Sequence, residues 1–225
     1  MAFLFKKVIL NMRKRVIIVG TSHVAEQSID NVRHVIENEK PDCVAIELCV
    51  NRYRALVSKK KASFSGDPFF FAMHLLQQEL GKSAGILPGS EMLEAIKSAQ
   101  ENNAKVAFVD KDISEIVYGL KKISFFTKMK LLGESLIGAF SSGIDLKTVP
   151  SDRDIDQAIR ELKKSYPEFY RVLVKERNDF MVERIKILKK NYNKIVVVVG
   201  AGHKKEMEKM LKRKVRKKIV KRKKR

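Results

Sequence analysis

Residues 16–23 read Val-Ile-Ile-Val-Gly-Thr-Ser-His, and they set the pattern for the rest of the chain. The four apolar residues predict a strand that is buried on both faces, as in a parallel sheet. Gly20 ends this strand, and His23 follows at the turn before an apolar-periodic segment. The pattern recurs near the other end of the chain, where residues 196–203 read Val-Val-Val-Val-Gly-Ala-Gly-His. A lone histidine after a strand is usually structural, but the same arrangement twice indicates a functional site.

The segment that follows His23 predicts a strand–helix–strand unit. Apolar residues between Ala25 and Ile36 recur at helical spacing, Pro41 ends the helix, and residues 43–48 form a second apolar strand. A unit of this kind, about 30 residues long, requires parallel strands.

The remaining pattern extends this unit into a larger sheet. The sequence predicts further strands at 3–10, 106–110 and 195–199 and an apolar helix from Phe69 to Leu76. Between residues 113 and 190 it predicts helices only. We therefore expect an α/β fold with a central, mainly parallel sheet flanked by helices. A helical insertion of about 113–190 precedes the last strand, within a domain covering 1–212.

The charge of the chain is concentrated in its C-terminal segment. The 225 residues carry a net charge of +21, and the segment from Lys204 onward holds 14 Lys and Arg against two Glu. Residues 213–225 are predicted to be a basic tail. The two cysteines form no Cys-x-x-Cys pair, which argues against a disulfide framework or a zinc ribbon. No run of about 18 apolar residues occurs, so we expect no transmembrane segment and a cytoplasmic location, with peripheral membrane contact left open.

Four predicted strands are each followed by a potential ligand or catalytic group. These groups are His23, Glu47, Asp110 and His203. Because sites in open parallel sheets form beyond the carboxyl ends of the strands, all four should lie along one edge. Imidazoles with carboxylates are a common set of ligands for a divalent metal, which could activate water. The alternatives are that Asp110 caps the next helix and that Glu47 needs only a partner such as Arg52.

Several short blocks in fixed order resemble the TraB/PrgY family, also called pheromone-shutdown proteins. The blocks are Gly20–Val24, Pro41–Cys49 with Arg52, Gly89–Met92, Val109–Ile113, Glu176–Met181 and Val199–His203. This family is grouped with the Tiki metalloproteases and, more distantly, with erythromycin-esterase-like and ChaN-like proteins. The resemblance implies a divalent-metal hydrolase acting on peptides, with manganese or cobalt expected and zinc possible.

The resemblance also implies roles for individual residues. His23 and His203 of the two Gly-x-x-His motifs would bind the metal, and Glu47 would be a further ligand or the base. Arg52 and Arg177 would orient carboxylates, or bind a substrate carboxylate or the developing oxyanion. Residues that would support this site or contact substrate are Thr21, Ser22, Asp110, Glu176 and Asp179. The family's Glu-Arg-Asp block contains Asn178 here, which leaves open which acid corresponds.

Two other functions compete with hydrolysis. The chain could sequester a peptide or small ligand at the same edge of the sheet without turnover. Alternatively, the basic tail could bind nucleic acid or an anionic membrane surface. A homodimer is also expected from the related folds, with the helical region 113–190 as the interface or a lid.

Overall fold

Four parallel strands form the sheet in this computed structural model, which describes residues 14–21, 26–58, 89–141 and 151–223. The strands are β1 (Arg15–Thr21), β2 (Cys43–Ile46), β3 (Lys105–Phe108) and β4 (Lys194–Gly200), in the spatial order β1-β4-β2-β3. Every neighbouring pair is parallel, and the register aligns Thr21 with Gly200 and Ile46 with Val198. The carboxyl ends of all four strands therefore meet at one edge of the sheet.

Helices cover both faces of this sheet. They are α1 (Glu26–Glu39), α2 (Val50–Val57), α3 (Ser90–Glu101), α4 (Ile113–Lys121), α5 (Phe125–Ser141), α6 (Asp152–Ser165), α7 (Pro167–Tyr170), α8 (Glu176–Asn191) and α9 (Ala201–Lys223). A π-helical turn, Arg171–Lys175, joins α7 to α8. The region between β3 and β4 is helical throughout the part that the structure describes, as the sequence predicts.

The central strand β4 shows how the two faces are filled. Alternate side chains of a strand point to opposite faces. Val196 and Val198 pack in the cluster that includes α1 and α3, while Val197 and Val199 pack with α8 and α9. All four valines are fully buried, and β-branched residues are favoured in such two-sided strands. This core fixes α8 and the start of α9 next to the carboxyl edge.

The observed strands match the predicted ones in position, with differences at the end of the second strand. The strands predicted at 15–20 and 195–199 correspond to β1 and β4. The second strand is shorter than predicted, since β2 ends at Ile46 and leaves Glu47 outside the ladder, and α2 follows where no element was predicted. The strand at 3–10 and the helix at 69–76 lie outside the described residues. Within the described ranges no helix combines the length and apolar character needed to cross a bilayer.

Candidate functional site

The carboxyl edge of the sheet brings four polar side chains from four different elements into one buried group. Glu47 follows β2, Asp110 follows β3, His203 lies in the first turn of α9, and Arg177 lies in the first turn of α8. Each of these residues is at least nine-tenths buried. Buried ionisable groups are costly unless they are paired, so their partners determine what this site can do.

Arg177 is the centre of this group. Its Nε lies 3.0 Å from Asp110 Oδ1, and its Nη2 lies 2.8 Å from Asp110 Oδ2, which is a bidentate pair. The same Nη2 donates to Glu47 Oε1, while Nη1 donates to the carbonyl oxygen of Leu173 at 3.3 Å and lies 3.1 Å from His203 Nε2. Burial lowers the pKa of Arg177, but Glu47 and Asp110 outweigh burial and raise it, so the guanidinium stays charged.

Glu47 is held as a carboxylate. Its Oε2 accepts a 2.7 Å hydrogen bond from the backbone N–H of Gly200, at the end of β4. Burial alone would raise the pKa of Glu47. His203, Arg177 and the Gly200 amide together hold that pKa well below its ordinary value. Glu47 is therefore ionised at neutral pH despite its burial.

A chain of hydrogen bonds behind His203 determines which ring nitrogen faces the site. His203 Nδ1 lies 2.7 Å from Asn178 Oδ1, and Asn178 Nδ2 donates to Glu206 Oε2 at 3.1 Å. The Tyr170 hydroxyl donates to the same Glu206 oxygen at 2.8 Å. Because Glu206 occupies the amide N–H of Asn178, Oδ1 accepts and Nδ1 of His203 carries the hydrogen. Nε2 of His203 is then the nitrogen that faces Glu47.

Burial and Glu206 affect Tyr170 as well. The hydroxyl is removed from water and donates to a carboxylate, so the pKa of Tyr170 rises to about 12. Tyr170 therefore remains a neutral hydrogen-bond donor across the physiological range, which keeps the chain behind His203 intact.

His203 and Glu47 have the atom types and the separation of two ligands of one cation. Nε2 of His203 lies 3.3 Å from Glu47 Oε1. Two ligand atoms that each lie about 2.1 Å from a tetrahedral metal are about 3.4 Å apart. Within the ranges that the structure describes, no third His, Cys, Asp or Glu completes a metal site. Arg177 contacts both atoms of this pair, with Nη2 on Glu47 Oε1 and Nη1 3.1 Å from His203 Nε2, so a cation at the pair would have to displace the Arg177 contact to His203.

The other residues predicted for the site lie in several positions. Arg52, the predicted candidate partner of Glu47, instead approaches Asp110, with Nη1 3.7 Å from Oδ2. Thr21 is buried, and its hydroxyl donates to the carbonyl of Val199 at 3.4 Å. His23 and Ser22 follow β1 and lie outside the described residues.

The two acids that flank the Arg177 and Asn178 pair point away from the buried group. Glu176 pairs with Arg171 at 2.7 Å and with Lys111 at 3.4 Å. Asp179 is exposed and pairs with Lys175 at 2.8 Å. The alternative that Asp110 caps the next helix is wrong, since Asp112 caps α4. Asp110 is a direct partner of Arg177.

The sequence alone did not identify the residues behind His203. In the sequence, Asn178 stands out only as a departure from an acidic block, and Glu206 only as one of two acids in a basic segment. A signal was present, because Glu206 follows His203 by three residues and therefore shares its helical face. Tyr170 has no comparable signal, since its approach depends on how α7 packs against α9.

Comparison with known proteins gives consistent results along most of the chain. The model of the TraB/PrgY/gumN family matches residues 5–220. An uncharacterized protein of Methanocaldococcus jannaschii is 34% identical over 206 residues, covering 83% of this chain and 50% of that protein. TraB domain-containing proteins of mouse and human are 26% and 23% identical, each covering 74% of this chain and 50% of the relative. The chain thus spans about half the length of these relatives.

Proposed function

The chain belongs to the TraB/PrgY/gumN family, and from this membership and the site geometry we propose that it is a divalent-metal-dependent hydrolase of peptides. The observation that carries the proposal is the pair formed by His203 Nε2 and Glu47 Oε1, 3.3 Å apart and buried at the carboxyl edge of the sheet. A histidine whose Nδ1 is bonded from behind and whose Nε2 faces a carboxylate has the arrangement of a metal ligand.

His203 and Glu47 would hold the proposed cation together with His23 of the first Gly-x-x-His motif, and manganese, cobalt or zinc are the candidates. When bound, such an ion supplies a water of lowered pKa as the nucleophile and polarises the carbonyl that is attacked. Asn178 keeps the hydrogen of His203 on Nδ1, so Nε2 carries the lone pair. Arg177 Nη1 donates to this lone pair from 3.1 Å, and the cation would take the place of that contact.

Glu47 suits the role of ligand better than that of general base. Its Oε1 accepts a hydrogen bond from the charged Arg177, which disfavours protonation at that oxygen. Its Oε2 is also occupied by the Gly200 amide, so only Oε1 faces His203. Arg177 holds this oxygen in place and limits the positions the carboxylate can take.

The sequence left open whether Arg177 and Arg52 orient carboxylates or bind substrate, and their surroundings favour a different role for each. Arg177 is buried and fully engaged with Glu47 and Asp110, so its role is to orient carboxylates. Arg52 keeps 38% of its side chain exposed, and its 3.7 Å contact with Asp110 is longer than a hydrogen bond. We assign to Arg52 the binding of a substrate carboxylate, such as the C-terminus of a peptide.

Metal content and peptide hydrolysis together test this function. The wild-type chain, purified after loading with manganese, cobalt or zinc, is compared with the variants His23→Ala and His203→Ala. His34→Ala is the matched control, because His34 is an exposed histidine on α1. We expect both site variants to lose metal and hydrolysis while the control keeps both. Unchanged metal occupancy in both site variants would refute the two-histidine site.

Peptide binding without turnover would support the sequestering alternative instead. The distinguishing measurement is calorimetric binding of a peptide library pool alongside mass spectrometry of the same mixture after prolonged incubation with each metal. Binding that is retained while every peptide stays intact would refute the hydrolase and leave a ligand-binding protein on the same edge.

A further inference from the structure

The corner between α4 and α5 exposes large apolar side chains. We define the aromatic corner as Tyr118, Phe125, Phe126 and Met129, all of which are exposed. Phe126 is 83% exposed and Phe125 is 69% exposed, which is unusual for phenylalanine. Exposed apolar residues grouped within 12 positions of the sequence indicate a surface that contacts a membrane or another molecule.

The backbone at this corner is fixed, so the rings cannot fold back into the core. Ser124 caps α5 by accepting the amide hydrogen of Thr127 at 3.2 Å, and Ile123 beside it is buried. The two phenylalanines occupy the first turn of α5, with ring centroids 6.2 Å apart in an edge-to-face arrangement. The rings therefore project together from a helix start that is anchored on both sides.

Basic side chains surround the aromatic corner. Residues 121–130 contain four lysines and no acidic residue. Lys121, Lys122 and Lys130 are exposed. The ammonium of Lys122 lies 4.2 Å from the centroid of the Tyr118 ring, and Lys130 pairs with Glu134 at 3.8 Å. Lys128 is buried and donates to the carbonyl of Lys121 at 3.1 Å, which ties α5 to the end of α4.

We propose that the aromatic corner binds the surface of a membrane that contains anionic lipids. Aromatic rings with lysines beside them are the residue combination found at membrane interfaces, where rings enter the headgroup region and ammonium groups meet lipid phosphates. Each lysine near an anionic surface adds to the attraction. Its residues lie far in the sequence from the basic tail of residues 213–225, and the proposal goes beyond the hydrolase function without depending on it.

Charge and chemistry favour a lipid surface over other occupants. In a symmetric dimer the same patch meets itself, so the lysines of two copies would face each other and repel. The phosphates of nucleic acid would also pair with the lysines. However, Phe125 and Phe126 lie edge to face beside Met129, and this arrangement offers bases no flat stacking platform.

Vesicle binding of the full chain tests the proposal. Sedimentation is measured with vesicles of phosphatidylcholine alone and of phosphatidylcholine mixed with phosphatidylglycerol. The variant Phe125→Ser/Phe126→Ser should lower the partition coefficient for the anionic vesicles by at least roughly 100-fold, since each buried ring contributes about one to two factors of ten. Ile187→Ser is the control, because Ile187 is an exposed apolar residue on α8, and it should bind like the wild type.

A spectroscopic variant locates the contact. The chain contains no tryptophan, so Phe126→Trp introduces a single reporter. We expect its emission to shift to shorter wavelength with anionic vesicles and to stay unchanged with phosphatidylcholine alone.

Three outcomes would overturn the proposal. Equal vesicle binding by the double serine variant and the wild type would assign the attraction to the basic tail. Binding of a DNA duplex that the double variant loses, without vesicle binding, would assign the aromatic corner to nucleic acid. Loss of self-association in the double variant, again without vesicle binding, would make it an interface between copies of the chain.

Discussion

Replacing Arg177 with methionine should destabilise the protein strongly, and should do so in a pH-dependent manner. Methionine keeps much of the volume and the unbranched shape of arginine but removes the guanidinium. Glu47 and Asp110 would then be two buried carboxylates without their shared partner. Among the described residues, Asp110 would keep its 3.7 Å contact with Arg52 and the hydrogen bond from the Lys111 amide.

The expected loss at neutral pH is about 3–5 kcal/mol in the free energy of unfolding, the range found when one partner of a buried ion pair is removed. For a chain of this size, that corresponds to a decrease in melting temperature of roughly 10 °C. The loss is a large fraction of the total stability of an ordinary domain.

The sign of the pH dependence follows from the pKa of Glu47. In the wild type this pKa is lowered, so Glu47 contributes stability above its ordinary value of about 4.3, and the contribution disappears as pH falls toward the folded-state value. In the variant, burial would no longer be offset by Arg177, and the folded-state pKa should rise. Protonation then relieves the penalty, so the difference between the two proteins should shrink between about pH 7 and about pH 4.5.

Urea unfolding followed by circular dichroism at both pH values measures this difference. Arg184→Met is the control, because Arg184 is an exposed arginine on the same helix, placed over the ring of Phe180. It should change stability by at most about 1 kcal/mol at either pH. Adding Glu47→Gln to the Arg177→Met variant should recover part of the loss. A loss that is the same at both pH values, or that Glu47→Gln leaves unchanged, would show that Arg177 acts by packing and would refute the electrostatic explanation.

Four further predictions test other features. Gly89 has φ of +95°, so Gly89→Ala should cost about 1–2 kcal/mol in a denaturant titration. Gly133→Ala, where an added Cβ meets nothing within 4 Å, should instead stabilise helix α5 by about 0.5–1 kcal/mol. Burial raises the pKa of Cys43 to about 11, so its thiol should be alkylated about 100-fold more slowly than an ordinary thiol in the native protein. Peptide mapping after alkylation measures this rate, and fast labelling would contradict the burial of Cys43. Asn178→Leu should move the hydrogen of His203 toward Nε2, seen in nitrogen-15 spectra, and should weaken metal binding by about 10–100-fold; an unchanged tautomer would contradict its positioning role.

The fold follows from local patterns that a single sequence carries. Runs of valine and isoleucine before Gly20 and Gly200 predict two buried strands, and the apolar periodicity between them predicts helices. The parallel arrangement then follows from chain length between strands, and it places Glu47, Asp110 and His203 at one edge. These inferences succeed because strand burial and helix amphipathicity are properties of neighbouring residues.

The pairing within the site is decided only in three dimensions. Arg177 reaches Glu47 and Asp110 across 130 and 67 positions of sequence, and nothing local distinguishes it from Arg52 as the partner of Glu47. The packing of α8 against β4 turns Arg177 and Asn178 inward and leaves Asp179 in solvent. The sequence by itself determined which strand-end residues, Glu47, Asp110 and His203, lie at the edge of the sheet. Tertiary packing decided which charges meet, because the cost of burying each charge depends on the partner brought to it from elsewhere in the chain.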